Sequence, residues 1–488
     1  MRNVKKRRIA PNVSILGLTT FAFFLSFVVW FNMAPFIHVI EQTFQLTNDE
    51  VGALLVMNVA LTIPARVLIG VLVDRFGSRK VYSSLLILMS IPCFAFALAT
   101  TYWQLLISRM FLGIIGAGFV IGIRMISEWF PEKRLGIAEG IYGGWGNFGS
   151  AAAAMSLPAL ALFLGGEEGW RYAIGITGLL VLIYGFVFFF KASDTPESKS
   201  LPGAKRKGGL EVTSYKGLIG LLAMMLPMYG ILGVFLWKLY TMAILSSGAA
   251  ISGCMILLIL FVVSSFRTIQ YNRRSLERGI PDHEKYSFKQ VFILAAAYFV
   301  TFGSELAVVS MLPLFFSETF DLGLAAAGLI AGSFAFTNLV ARPLGGYLSD
   351  RYGRKLILTI MLLGLSVGYF LMSQVTGTWP LALAIAVTML CSFFVQGGEG
   401  AVFAMVPLVK KKITGQIAGL VGAYGNVGAT TFLTVYSVIQ PGQFFMVISV
   451  TGMVCTAGML LLAEPSRQGI RKRKMSRMGV PSNSSVSR

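Results

Sequence analysis

Arg66-x3-Gly70-x3-Asp74-Arg75-Phe76-Gly77 returns as Arg342-x3-Gly346-x3-Asp350-Arg351-Tyr352-Gly353. Both copies carry an arginine two turns inside an apolar stretch and end in an acidic-basic turn. A cation near the centre of a bilayer costs roughly 2.5–3.5 kcal/mol on insertion scales, so its appearance twice at equivalent depth points to a purpose. Holding an anion inside a membrane is the direct reading.

The surrounding composition agrees. The chain has 488 residues, of which 56% are hydrophobic and 13% charged, too apolar for a water-soluble globule of this size. A hydrocarbon core of about 30 Å takes about 20 helical residues per crossing, and runs of that length fill nearly the whole sequence. The fold class expected is therefore all-α, a polytopic membrane protein. Six helices are predicted near 13–37, 49–73, 81–100, 103–127, 135–163 and 170–191 (core helices 1–6). Six more follow near 289–316, 323–349, 356–375, 379–405, 415–438 and 443–463 (core helices 7–12). A second string confirms the duplication: Gly143-x-Trp145-Gly146-Asn147-x-Gly149 recurs as Gly422-x-Tyr424-Gly425-Asn426-x-Gly428, at nearly the same offset as the arginine strings.

The organisation expected is an N-terminal half (1–191), a central linker (192–288), a C-terminal half (289–465) and a tail (466–488). The linker holds two further apolar runs, 217–239 and 245–266, long enough to form an extra transmembrane hairpin; two crossings keep both halves in one orientation and bring the total to 14 helices. Its role is read as accessory, on the lipid side. Residues 267–289 read as a basic connector.

A net charge of +20 would suggest nucleic acid in a soluble protein. Here the cations gather in the tails and alternate loops: Arg2 to Arg8, 74–80, 205–207, 351–355, 410–412 and 471–474. That is the positive-inside pattern, placing both termini in the cytoplasm of a cell (plasma or inner) membrane and excluding a nucleic-acid partner. The start of the chain is basic then apolar, but the 13–37 run is too long for a cleaved leader and is read as the first membrane helix. Cys93, Cys254, Cys391 and Cys455 lie singly in apolar runs, so neither a disulfide framework nor a metal site is expected. His38 and His283 are isolated, and no cofactor is implied.

The string Gly70-x3-Asp74-Arg75-x-Gly77-x-Arg79-Lys80, its echo at 346–355, and Arg109-x3-Gly113-x2-Gly116 resemble the signature of the major facilitator superfamily. The glycine strings of core helices 5 and 11 together with the paired arginines look like its nitrate/nitrite porter family. The likeness covers the twelve core helices and leaves the hairpin without a template. It implies that Arg66 and Arg342 bind nitrate or nitrite, that Tyr298 and Phe302 form the aromatic pair of core helix 7 near substrate, that Asn147 is the asparagine of the helix 5 signature, and, more loosely, that Phe119 is an aromatic of the site. A counterpart on core helix 1 is not assigned among Trp30, Phe31 and Asn32.

The residues support this chemically. Nitrate is a small planar anion, and guanidinium presents paired N–H donors in a matching fork where lysine offers a point charge; the bland alternative is an arginine paired with a nearby carboxylate or snorkelling to a helix end. The glycines serve mainly close helix packing, with Asn147 and Asn426 carried toward the cavity. Tyr298 and Phe302 share one helix face, as packing aromatics do, or as a wall against a planar anion. Glu305 and Glu399 stand in apolar runs, each a proton carrier or a permanent arginine partner. Glu399, in Gly397-Gly398-Glu399-Gly400, is the first choice for coupling, because proton-linked members of the family resemble this pattern. Asp74, Arg75, Asp350 and Arg351 read as cytoplasmic latches near Arg134 or the basic loops.

The function expected is secondary active transport of nitrate and nitrite by alternating access, as a monomer, with protons as co-substrate. Entry of an anion against an inside-negative potential needs co-transported cations, most simply two or more protons. Alternatives are nitrate/nitrite exchange, a carrier of another small inorganic or phosphorylated anion, or a non-transporting anion sensor. An enzyme is not expected, because no metal cluster, nucleophile-base pair or phosphate loop is visible.

Overall fold

The computed structural model describes residues 11–165, 168–195, 210–241, 244–281, 284–322, 324–436 and 438–463. The basic extremities at 1–10 and 464–488, and His283, lie outside them. Among the described residues there is helix and no strand, and twelve helices are long and apolar enough to cross a membrane. These include both hairpin helices, Tyr215–Thr241 and Ser247–Glu277. Core helix 8 (Leu324–Phe336 and Asn338–Tyr352) and core helix 11 (Thr414–Tyr436) are also helical, in the places the duplication assigns them.

The repeat is visible in how the halves meet. Core helix 2 packs on core helix 11, and core helix 8 on core helix 5 (Leu135–Leu164). At each crossing a glycine meets a glycine. A methyl at Gly70 would strike the carbonyl of Gly415, and one at Gly346 would strike the carbonyl of Gly136. In lipid no hydrophobic drive brings helices together, so close backbone approach supplies the attraction.

The arginine helices are not continuous, as the sequence suggested. Core helix 2 breaks between Asn48–Ala60 and Thr62–Phe76, and core helix 8 breaks at Thr337, the repeat position of Leu61. Pro64 has no N–H for the carbonyl of Ala60, while the Thr337 hydroxyl donates to the Ser333 carbonyl at 3.1 Å. Each break lies about one turn before the arginine. Core helix 4 likewise passes through a 3₁₀ stretch, Gly113–Ala117, between Tyr102–Leu112 and Gly118–Trp129.

The second hairpin helix runs past the apolar segment to Glu277, into residues read as connector. Asn272 accounts for the extension: its amide accepts from Val212 N at 2.8 Å and donates to the Leu210 carbonyl at 3.0 Å, fixing linker to helix. The first hairpin helix docks on core helices 7 and 11, where the Tyr424 hydroxyl donates to the Met224 carbonyl at 2.8 Å. The second turns Ile251, Met255, Ile259, Val262 and Phe266 outward, a surface suited to lipid.

Candidate functional site

Arg66 and Arg342 are each 1% exposed, and each leans across the interface onto the glycine string of the opposite half. Arg66 Nη1 donates to the Gly422 carbonyl at 2.6 Å. Arg342 lies so close to Gly143 that a methyl there would land on its Nε. Glycine is required at 143 because the guanidinium occupies the space a side chain would fill.

The two cations share one ring. The Arg66 guanidinium carbon is 5.7 Å and that of Arg342 5.3 Å from the centroid of Phe119, within cation–π range. Phe302 lies 5.1 Å from Arg66. Tyr298 stacks on Phe302 at 5.0 Å, and parallel to Phe119 at 6.3 Å. Its hydroxyl accepts from Arg342 Nη2 at 3.4 Å. These rings are all buried. These buried rings fill the space around the two guanidiniums in this conformation.

The carboxylates are unequal. Glu399 forms an ion pair with Arg342, both closed to solvent, while Arg66 has no carboxylate bonded to it among the described residues. Glu305 is not bonded to arginine: its Oε1 accepts from the amides of Asn338 and, at 3.5 Å, Gln396. Glu305 also lies within interaction range of Glu399, and one oxygen of each, Oε2 of Glu305 and Oε1 of Glu399, has no hydrogen-bond partner among the described residues. The site thus brings together two cations and two carboxyl groups. Asn147 is one turn from Gly143 and Asn426 one turn from Gly422, so both amides sit on the arginine-facing sides of their helices. Asn426 is fully buried, and among the described residues neither its amide atoms nor the Asn147 side chain has a hydrogen-bond partner.

At the end of the bundle that bears the basic turns, the halves are tied across. Asp74 accepts from Gly415 N at 3.1 Å and Gln416 N at 2.9 Å, and pairs with Arg124 Nε at 3.3 Å. Asp350 accepts from Ile137 N at 3.1 Å and pairs with Arg354 at 2.8 Å. Each aspartate thereby caps the start of a helix in the other half, where unpaired N–H groups favour negative charge. The basic partner of Asp74 is Arg124, not Arg134. Arg75 and Arg351 do not join the halves; they point outward over Phe76 and Tyr352. Arg124, reaching the Lys411 carbonyl, and Arg354, reaching the Glu132 carbonyl, make those cross-half contacts.

Several site residues were not legible beforehand. Tyr142 stacks on Phe119 at 5.9 Å and donates to the Gly118 carbonyl at 3.0 Å, and Phe403 meets Phe119 edge-on at 4.6 Å. Tyr142 directly precedes Gly143, and that adjacency was a usable signal; Phe403 carried none. On core helix 1, Phe23 reaches the site, stacking on Tyr142 at 4.8 Å. Trp30 and Asn32 instead serve core helix 4: Arg109 bonds the Trp30 carbonyl and, at 3.0 Å, Asn32 Oδ1.

Two repeated six-helix halves closing on a buried cationic centre define a multi-pass membrane transporter. Residues 19–275 and 294–484 match the Major Facilitator Superfamily. The chain is 45% identical over 483 residues to the nitrate/nitrite transporter NrtP of Picosynechococcus sp., covering 90% of each chain. It is also 45% identical over 453 residues to NrtP of Nostoc punctiforme, again covering 90% of each. Among solved structures, the proton:xylose symporter XylE superposes with a TM-score of 0.63 at 15% identity, over 93% of this chain and 96% of that one, a likeness of fold. The chain belongs to the Major Facilitator Superfamily and, within it, to the nitrate/nitrite porter family.

Proposed function

We propose that this protein carries nitrate and nitrite into the cell by proton-coupled alternating access. The observation that carries the reading is the pair of buried arginines, one from each half, placed on opposite strings of glycine and sharing the Phe119 ring. The relatives named as nitrate/nitrite transporters support the choice of anion.

The charges supply a mechanism. With Glu305 and Glu399 ionised, two arginines and two carboxylates sum to zero, so the empty site can close without an uncompensated buried charge. A planar anion entering between the guanidiniums competes with Glu399 for Arg342. The displaced carboxylate, near Glu305 and away from water, then takes a proton. Anion and proton therefore bind together, and the two glutamates provide two proton positions. Two protons per monovalent anion give net inward positive charge, which an inside-negative potential drives at about 2.3 kcal/mol per charge per 100 mV. A dianion would need further cations, and among the described residues Arg66 and Arg342 are the two at the site. Asn147 and Asn426 are assigned as hydrogen-bonding partners of the anion, and Tyr298, Phe302 and Phe119 as its walls.

The tied end of the bundle is assigned to the cytoplasm, with both chain termini there, because the basic turns lie on that side. Asp74 and Asp350 are the latches that release when it opens. The test is flux into sealed vesicles with nitrate, nitrite, chloride and phosphate, with and without a proton gradient. Nitrate and nitrite should enter and acidify the lumen. Entry only against internal nitrite, indifferent to the gradient, would replace symport by exchange; binding without flux would make the protein a sensor.

A further inference from the structure

Glu139 belongs to neither the anion site nor the latches, yet it is buried between the halves. It is 1% exposed, and both carboxyl oxygens lack a hydrogen-bond partner among the described residues. Its place on core helix 5 follows from spacing. Gly136, Gly140 and Gly143 all press on core helix 8, against Gly346, Arg342 and Pro343, and Glu139 shares their face.

Charged groups on the elements packed around it are otherwise engaged. Core helix 1, Pro11–Phe31, carries none. Core helix 4 turns Arg124 toward Asp74 and Glu128. Core helix 6 carries Arg171, paired with Glu168 at the far end, and Lys191, exposed at its last turn. Core helix 10 gives Glu399 to Arg342. The short turn 132–134 is exposed, with the Glu132 carbonyl taken by Arg354. On core helix 8, Asp350 is held by Ile137 N and Arg354, and Arg351 faces out to Tyr347. Asp350 and Arg354 are the charges that reach Glu139, and neither donates a hydrogen bond to it.

An ionised carboxylate in such a place is uncompensated, which costs several kcal/mol; the same group carrying a proton is tolerated. Separating core helices 5 and 8 at the latch end would expose Glu139 to water, where it ionises at neutral pH. We propose that Glu139 is a proton-binding site of the gate, protonated while the halves are latched and deprotonated when they part. The proton is taken from and returned to the same side, so it sets the balance between latched and open forms and adds nothing to the transported stoichiometry. The sign follows: latching takes up one proton, so rising pH on that side favours opening, by up to about tenfold per pH unit. This rests on the alternating-access reading above.

The test is the distance between spin labels on Phe76→Cys and Lys411→Cys, exposed positions in opposite halves near the latch, measured against pH in detergent and with nitrate. In the otherwise native protein the latched fraction should fall as pH rises. In Glu139→Gln, which copies the protonated form, that dependence should flatten toward the latched state; Glu139→Leu, neutral and of similar size, should do the same and stands in if the glutamine variant fails to fold. An unaltered pH slope in both variants overturns the proposal. So does a gate that opens at every pH, because it would mean an ionised Glu139 holding Arg354. A distance that responds to neither pH nor nitrate would reject alternating access itself, and this site with it.

Discussion

Arg342 is ion-paired with Glu399 within its own half, at a depth where neither side chain meets solvent. Arg66 makes its closest bond to a backbone carbonyl of the opposite half, that of Gly422. The repeat is thus symmetric in backbone and asymmetric in charge. One arginine has a carboxylate to exchange for substrate, and the other has none bonded to it among the described residues. In the proposed mechanism, coupling therefore falls on the side of Arg342.

Glu399→Gln follows from that asymmetry. The amide keeps the shape but cannot exchange a proton, so nitrate-driven acidification of the vesicle lumen should be lost while nitrate/nitrite counterflow persists. Fluorescence from a trapped pH dye, read beside tracer flux, checks both at once. Acidification at the native rate would remove Glu399 as a proton carrier.

Replacing either arginine by lysine retains the charge and loses the fork. A charge-assisted hydrogen bond contributes about 1.5–3 kcal/mol, so nitrate affinity should fall by about 10- to 100-fold in Arg66→Lys and in Arg342→Lys. Titration calorimetry in detergent measures it. Native affinity in both variants would sink the planar-clamp reading.

Two glycines at equivalent repeat positions should respond differently. At Gly143 a methyl collides with the Arg342 guanidinium, which Glu399 restrains, whereas at Gly422 the nearest atoms of Arg66 stand at 3.4 Å, ordinary contact. Gly143→Ala should therefore weaken nitrate binding by about 5- to 150-fold, corresponding to roughly 1–3 kcal/mol of overpacking. Gly422→Ala should leave binding close to native. Equal losses in the two variants would show that the contact with Arg342 does not set the site.

Asp74 and Asp350 each receive backbone N–H groups from the other half. Weakening hydrogen bonds to a charged acceptor costs about 1.5–3 kcal/mol, so Asp74→Asn should shift the balance toward the open gate. A reporter cysteine at Thr414, buried beside the latch, should then react faster with a membrane-impermeant maleimide. No acceleration would mean that this carboxylate does not hold the halves together.

Much of the molecule was readable from one dimension. Arg66, Arg342, Asp74 and Asp350 announced the duplication, and apolar length gave the helices. The arginine pair also marked the centre, because a cation deep in an apolar run has few explanations. Pro64 was a usable signal for the helix break at Leu61, but the break at Thr337 was not readable, since apolar composition is blind to local hydrogen-bond geometry. Asn272 was invisible too: its value lies in two linker backbone groups distant in sequence.

Residue order alone was enough to show a chain that spans a membrane in two repeated halves, each carrying one arginine deep in an apolar run. Hydrophobic length and charge placement are local properties, and lipid enforces them segment by segment. Which arginine Glu399 neutralises, that Phe119 lies under both guanidiniums, that Arg124 rather than Arg134 serves Asp74, and that Glu139 has no hydrogen-bond partner among the described residues came from the packing of the helices. Those facts depend on which helix faces which, and close approach of glycine backbones from separate halves sets that.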